Sequence, residues 1–198
     1  MPNNRSLTII PRTAIPYAVI VAVLLVLAIV TWVTVVNRTN DPVSVACDRP
    51  DLGSPMASTQ LIGETASAPV EVQVRVLNAN GRSGQAAGVA EQLVGYGFSE
   101  HPEGPAGNDE ATPDQDLECY GQIRFGVGQL NHAAALHLSL PCMELISDNR
   151  QDGTVDIALG TGFNGLDDSA AVRSIYESLN NGEASDPALA EQISQTIC

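Results

Sequence analysis

Val70-Glu-Val-Gln-Val-Arg-Val76 places valine at every even position with polar residues between, and Leu77 extends the run. Strict alternation is the signature of a strand with one buried face, so these valines are expected to face a core. Asn78-Ala-Asn-Gly-Arg-Ser-Gly84 then turns the chain, with Ser83 available as a helix cap. Ala86, Val89, Ala90 and Leu93 follow at helical spacing and define one apolar face, which Gly95 and Gly97 end. The segment reads as strand, glycine loop and helix.

Working toward the C-terminus, Glu100 to Glu118 is acidic and rich in Pro and Gly, which predicts a long exposed loop. A second unit follows it. Gln122-Ile-Arg-Phe125 predicts a strand, Gly126-Val-Gly128 a turn, and Gln129 to Leu140 a helix with Leu130, Ala133, Ala134 and Leu138 inward. Met143 to Ile146 and Thr154 to Leu159 predict further strands, and the two strand-loop-helix units form a weak internal repeat. Asp168 to Leu179 and Pro187 to Ile197 predict C-terminal helices, the second with Asp186 as N-cap and Pro187 in its first position. The fold class is therefore a small α/β (α+β) sandwich, in which the two units form one sheet with helices packed on it.

Toward the N-terminus, no charged side chain occurs from Ile15 to Val36, a run long enough to span about 30 Å of hydrocarbon as a helix. Tyr17 and Trp32 sit near its ends, as at bilayer interfaces. Arg5 and Arg12 precede it, which directs residues 1–14 to the cytoplasm and the rest of the chain outside. The run is longer than the apolar region of a signal peptide and lacks a small-x-small cleavage site, so an uncleaved single-pass signal anchor is preferred. Cys47 as a lipidation site is disfavoured by its distance from the apolar run. Residues 37–68 carry Pro, Ser, Thr, Gly and Asp without periodicity and are expected to be an extracytoplasmic linker, followed by a domain at 69–163 and a helical extension at 164–198.

The chain of 198 residues contains nine Arg, no Lys and 23 acidic residues, a formal charge of −14. Every acid lies after the apolar run, so the outer portion with its seven Arg carries −16. Such a balance excludes nucleic acid as a partner, because that affinity comes from cations neutralising phosphates. The four cysteines, Cys47, Cys119, Cys142 and Cys198, fall on the oxidising side and allow three pairings. Cys119 directly precedes a predicted strand and Cys142 follows the helix that returns from it, so Cys119–Cys142 with Cys47–Cys198 is the preferred pattern. No Cys-x-x-Cys is present to suggest a metal or redox site.

Candidate chemistry is sparse. Gly160-Thr-Gly-Phe-Asn-Gly165 has the letters of a dinucleotide fingerprint, yet no further strand is predicted to supply the acid that the fingerprint requires, so it is read as a turn. Gly81-Arg-Ser-Gly84 precedes a helix without the Lys-Ser/Thr of a phosphate loop. His132 and His137 are five apart, off the spacing for two ligands on one helical face, and His101 lies in the acidic loop. Asp109, Glu110, Asp114, Asp116 and Glu118 lack the spacing of a calcium loop. No Gly-x-Ser-x-Gly elbow occurs. Neither a cofactor nor a resident metal is expected.

Val74-Arg-Val-Leu-Asn78, Gly81, Gly84, Ala86-Ala87, Val89-Ala90, Leu93 and Gly97-Phe98, with Val155-Asp-Ile-Ala-Leu-Gly160 as closing strand and glycine, resemble the LytR C-terminal domain family across roughly residues 70–163. In LytR-CpsA-Psr proteins this module follows a domain that transfers glycopolymers to peptidoglycan, and here only an anchor and a stalk precede it. The resemblance, strengthened by the four cysteines and by Cys119-Tyr-Gly-Gln-Ile-Arg-Phe-Gly126, implies a non-catalytic role in actinobacterial envelope integrity and, in pathogenic relatives, in virulence. It supplies no catalytic residues. The resulting expectation is a scaffold that binds wall glycopolymer or a LytR-CpsA-Psr ligase through Asn78, Arg82, Tyr120 and Arg124. An envelope hydrolase or transferase using the acidic-loop carboxylates is the alternative, and an inward-signalling sensor has only a short cytoplasmic tail to work with.

Overall fold

The computed structural model describes residue 20 and residues 22–32, 46–47 and 52–183. Residues 22–32 form a helix, α1, whose large apolar side chains, Val23, Leu24, Leu25 and Ile29 among them, are each more than half exposed. A helix apolar on every side has no polar face to offer water. Among the described residues no helix is long and apolar enough to cross a membrane. Positions 15–19, 21 and 33–36 of the expected span lie outside the described residues, as do residues 1–14, Asp186 and the expected helix at 187–197.

Among the described residues of the separate unit that follows, seven strands form one sheet: β1 (Ser54–Met56), β2 (Gln73–Asn78), β3 (Ser99–Glu100), β4 (Ala106–Asn108), β5 (Gly121–Gly126), β6 (Glu144–Asp148) and β7 (Thr154–Leu159). Their order is β1-β6-β5-β7-β2-β3, with β4 pairing on β2 beyond β3. Helix α2 (Gln85–Gly95) connects β2 to its parallel partners β3 and β4, and helix α3 (Leu130–His137) connects β5 to its parallel partner β6. A crossover helix is what parallel neighbours require. The internal repeat is thus two strand-helix-strand units, joined by β7, which runs parallel to β2 and antiparallel to β5.

Alternation decides the layers. Val74 and Val76, Ile123 and Phe125, and Val155, Ile157 and Leu159 share one core with α2, α3 and a third helix, α4 (Ala170–Asn180). The buried residues of α2 are Ala86, Val89, Ala90 and Leu93, the face its spacing predicts. Ser169 caps α4, its hydroxyl accepting from the Val172 N–H at 3.3 Å. The Tyr176 hydroxyl lies 2.9 Å from both the Ala135 carbonyl and Ser139 Oγ, and its ring packs against Phe98 edge-on, which fastens α4 to α3 and to the segment that follows α2. On the opposite face, which carries no helix among the described residues and is called helix-free for that reason, a smaller cluster of Leu77, Ala79, Leu117, Cys119 and Ala158 is joined by Cys47.

Four expectations change. Val70 is exposed, because Pro69–Glu71 is a 3-10 turn and the ladder of β2 begins only at Gln73. Ser83 does not cap α2, whose N-cap is Gly84 in the left-handed region at φ 79°. Helix α3 ends at His137, short of Leu140. The described part of the expected linker belongs to the domain, since β1 pairs antiparallel with β6, Ala66 is buried in the main core and the Ser67 N–H bonds to the Asn131 carbonyl at 3.1 Å.

His137, at the end of α3, is buried and its Nε2 has no hydrogen-bond partner. Burial lowers its pKa from 6.5 to about 4, against a backbone hydrogen bond with Pro141 that favours the charged form. The unfolded chain binds a proton near pH 6.5 and the folded one only near pH 4. Stability is therefore full above pH 6.5 and falls by about 3 kcal/mol by pH 4. Denaturant titrations of wild type and His137→Leu across that window are expected to show a steeper slope in wild type, and equal slopes would refute the assignment.

Candidate functional site

Because β2 and β7 are parallel, their carboxyl ends share one edge of the sheet, and the antiparallel β5 brings Tyr120 to it. Ligand sites of α/β sheets gather at such ends. Two loops, residues 79–84 after β2 and 160–165 after β7, meet there. Asn78 is buried, accepting from the Asn80 N–H at 3.2 Å through Oδ1 and donating to the Arg82 carbonyl at 3.4 Å. Asn80 Nδ2 donates to Gln85 Oε1 at 2.7 Å and to the Gly160 carbonyl at 2.8 Å. Exposed Arg82 reaches across, Nη1 to the Phe163 carbonyl at 3.0 Å and Nη2 to the Thr161 carbonyl at 3.2 Å.

Tyr120 closes the cluster. Its hydroxyl sits 2.8 Å from Asn164 Oδ1 and 2.6 Å from the Gly165 carbonyl, and its ring meets Phe163 edge-on at 5.3 Å. Burial raises its pKa, against backbone hydrogen bonds that lower it, so the phenol is a neutral donor. The glycine-rich letters of 160–165 are explained by close approach: a Cβ on Gly160 would collide with the Cys119 carbonyl, which accepts from the Gly162 N–H at 2.9 Å. This is a turn latched from three sides by Asn80, Arg82 and Tyr120. Asn80, Phe163 and Asn164 escape sequence reasoning, although an Asn two residues after a strand in a glycine loop is a usable signal.

Arg124 is not part of this surface. It is 5% exposed on the helix-free face, where Nη1 and Nη2 each donate to Asp109 at 2.8 Å and Nε donates to Gln122 Oε1 at 3.0 Å. Gln122 continues the chain to Glu144 at 2.8 Å, and Glu144 accepts from the Cys47 N–H at 3.3 Å. The acidic segment is correspondingly not a simple exposed loop. It contributes β4, and Asp109, Thr112 and Leu117 are buried against the sheet, while Glu110, Asp114 and Glu118 stay outside. Burial alone would raise the Asp109 carboxyl, but the Arg124 guanidinium, the Thr112 hydroxyl and the Ala111 N–H hold it below the ordinary carboxylate range. Asp109 is committed to Arg124, apart from the other acids of its segment.

The cysteines also pair differently from expectation. Cys47 is bonded to Cys119, with Cα atoms 5.1 Å apart, so neither Cys119–Cys142 nor Cys47–Cys198 forms. The preferred pattern assumed that the nearest strand end decides. What decides is that Cys119 faces the helix-free cluster, where the N-terminal segment lies with Cys47 held by Glu144. Cys142 is itself disulfide-bonded, and Cys198 lies outside the described residues.

The histidines bond to backbone: His101 Nδ1 accepts from the Glu103 N–H at 3.0 Å, and His132 Nδ1 lies 3.1 Å from the Gly153 carbonyl. No group of three or more His, Cys, Asp or Glu side chains could hold a metal ion among the described residues. What the loop cluster offers is a pre-organised surface of backbone groups, one guanidinium and one phenol, suited to recognition by hydrogen bonding.

The family model LytR_C, described as LytR cell envelope-related transcriptional attenuator, matches residues 71–163, from just before β2 to just beyond β7. The cell envelope integrity protein Cei of Mycobacterium tuberculosis is 38% identical over 200 residues, covering 95% of this chain and 90% of that protein. The crystal structure of the soluble domain of a conserved hypothetical secreted protein from Mycobacterium marinum superposes with a TM-score of 0.70 at 40% identity, covering 75% of this chain and all of that one. The module match and the near full-length likeness to Cei together place this chain in the LytR_C family.

Proposed function

We propose that this protein maintains the cell envelope as a non-catalytic, single-pass membrane protein whose extracytoplasmic domain binds wall glycopolymer or a LytR-CpsA-Psr ligase. The observation that carries the envelope role is the 38% identity to Cei over 95% of the chain. The uncharged run from Ile15 to Val36 supports the anchor, and the arginines before it support a cytoplasmic N-terminus. A binding role is favoured by the loop cluster, where Asn80, Arg82 and Tyr120 serve to hold two loops in a fixed shape. Fixing a surface before contact lowers the ordering cost of association.

The test is crosslinking in intact envelope, followed by capture of the full-length protein or of a version that keeps the anchor and lacks the outer domain. Recovery of wall glycan or of a LytR-CpsA-Psr ligase only with the outer domain is the expected result, and recovery of neither rejects the reading. Arg82→Ala is expected to reduce that recovery by about tenfold while changing stability by under about 1 kcal/mol, since its partners are two backbone carbonyls of a turn that Asn80 and Tyr120 also hold. Unchanged recovery would remove Arg82 from the interface.

A further inference from the structure

On the helix-bearing side, α2 and α4 leave a cleft of about 470 Å³, lined by residues other than those of the loop cluster and within the size range of small-molecule sites. Tyr96, the C-cap of α2, is part of its lining. The Tyr96 hydroxyl donates to Asp168 at 3.1 Å, its carbonyl accepts from Asn180 Nδ2 at 2.9 Å, and its ring rests 5.2 Å from that of Tyr176. The aromatic ring is therefore held in place before any ligand arrives. Gly95 and Gly97 flank it in sequence and also line the cleft, so no neighbouring side chain covers the ring from either position. A Cβ on Gly97 would stand 2.7 Å from Asn180 Nδ2, so the cleft in this form requires a glycine there.

Around that ring stand planar polar groups of every hydrogen-bonding kind: the Gln92 and Asn180 amides, the Asp168 and Glu177 carboxylates and the Arg173 guanidinium. Arg173 donates to the Asp168 oxygen that already accepts from Tyr96, at 2.8 Å, so the single cation of the cleft is neutralised. An anionic ligand would meet two carboxylates and one paired arginine, on a chain of net charge −14. A pyranose ring suits this lining: its C–H face packs on an aromatic ring, and its hydroxyls both donate and accept toward planar side chains. We propose that the α2–α4 cleft is a binding site for an uncharged glycan segment one or two hexose rings long. One wall comes from α4, which lies beyond the LytR_C match at residues 71–163, so this site belongs to the module together with its C-terminal extension. It goes beyond the loop-cluster reading and stands without it.

The full-length protein in detergent micelles, titrated calorimetrically with chitotetraose and with maltotetraose, tests this, with tetragalacturonate as the anionic control. Saturable binding of at least one uncharged tetrasaccharide is expected, weakened about tenfold or more by Tyr96→Ala. Gln92→Trp, which fills the cleft from an exposed position, is expected to weaken it equally while keeping the wild-type thermal transition. Arg82→Ala is expected to leave it unchanged, which separates failure of this site from failure of the loop cluster. Absence of saturable binding for both sugars, tighter binding of tetragalacturonate, or loss through Arg82→Ala would each overturn the proposal. So would binding within about twofold of wild type in the folded Gln92→Trp protein.

Discussion

Arg124→Met is expected to destabilise the domain by about 3–5 kcal/mol, because it leaves the Asp109 carboxylate buried without its counter-charge. Asp109 is 3% exposed and Arg124 5%, and they share two hydrogen bonds of 2.8 Å, so neither can recover its lost partner from water without opening the segment that covers the sheet. The same substitution frees Gln122, which would leave Glu144 with a weakened support beside Cys47. Asp109→Leu combined with Arg124→Met should recover much of the loss, since replacing both charges with apolar groups removes the desolvation cost along with the attraction. Urea unfolding of the two single variants and the double variant measures the coupling directly. A single-variant cost below about 1 kcal/mol would contradict a buried pair. Acid should reveal the same pair in wild type: the Asp109 contribution is present above the unfolded carboxylate pKa, near 3.9, and disappears as pH falls through the depressed folded value.

Replacing Cys47 and Cys119 together with Ser is expected to cost about 4 kcal/mol. The bond closes a chain separation of 72 residues, and its removal returns that loop entropy to the unfolded state. The transition temperature should drop by roughly 8–16 °C for a domain of this size. The loss should also loosen the helix-free face, where Cys119 packs with Leu77, Ala79, Leu117 and Ala158 and its carbonyl holds the Gly160–Gly162 turn of the loop cluster. Two measurements check it: thermal unfolding of the double variant, and proteolytic mapping under non-reducing conditions. The map should recover one linked peptide containing Cys47 and Cys119. A link from Cys119 to Cys142 would contradict the pairing, and an unchanged transition would contradict its energetic role.

The helix-bearing half of the domain is legible in the sequence because one-sided burial imposes a period. Alternation marks Val72, Val74 and Val76 as buried, and the spacing of Ala86, Val89, Ala90 and Leu93 marks the inner face of α2. The same rule overreaches by one residue pair at Val70, where Pro69 has already committed the backbone to a turn. The candidate site is half legible. Asn78, Arg82 and Tyr120 do converge at the carboxyl ends of β2 and β7, yet the latching by Arg82 and Tyr120, and the participation of Asn80, Phe163 and Asn164, depend on contacts between residues 44 to 81 positions apart.

Arg124 and the disulfide share one reason for being unreadable. Alternation puts Arg124 on the side of β5 opposite Ile123 and Phe125, but it cannot say whether water or another segment lies there. The acidic stretch, which composition marks as solvated, covers that face and brings Asp109 to Arg124. The N-terminal stretch, which lacks any periodicity, brings Cys47 to Cys119 and its N–H to Glu144, 97 residues away.

By itself, then, the sequence determined the uncharged span with its flanking charges, the two strand-loop-helix units and the core face of each strand and of α2, all properties written in neighbouring residues by the geometry of strand and helix. Only the tertiary structure decided which segments cover the helix-free face, which cysteines and charges meet there, and how two loops close into one surface. Those are contacts between distant parts of the chain, selected by the requirement that buried charges and polar groups find partners, and no local period records them.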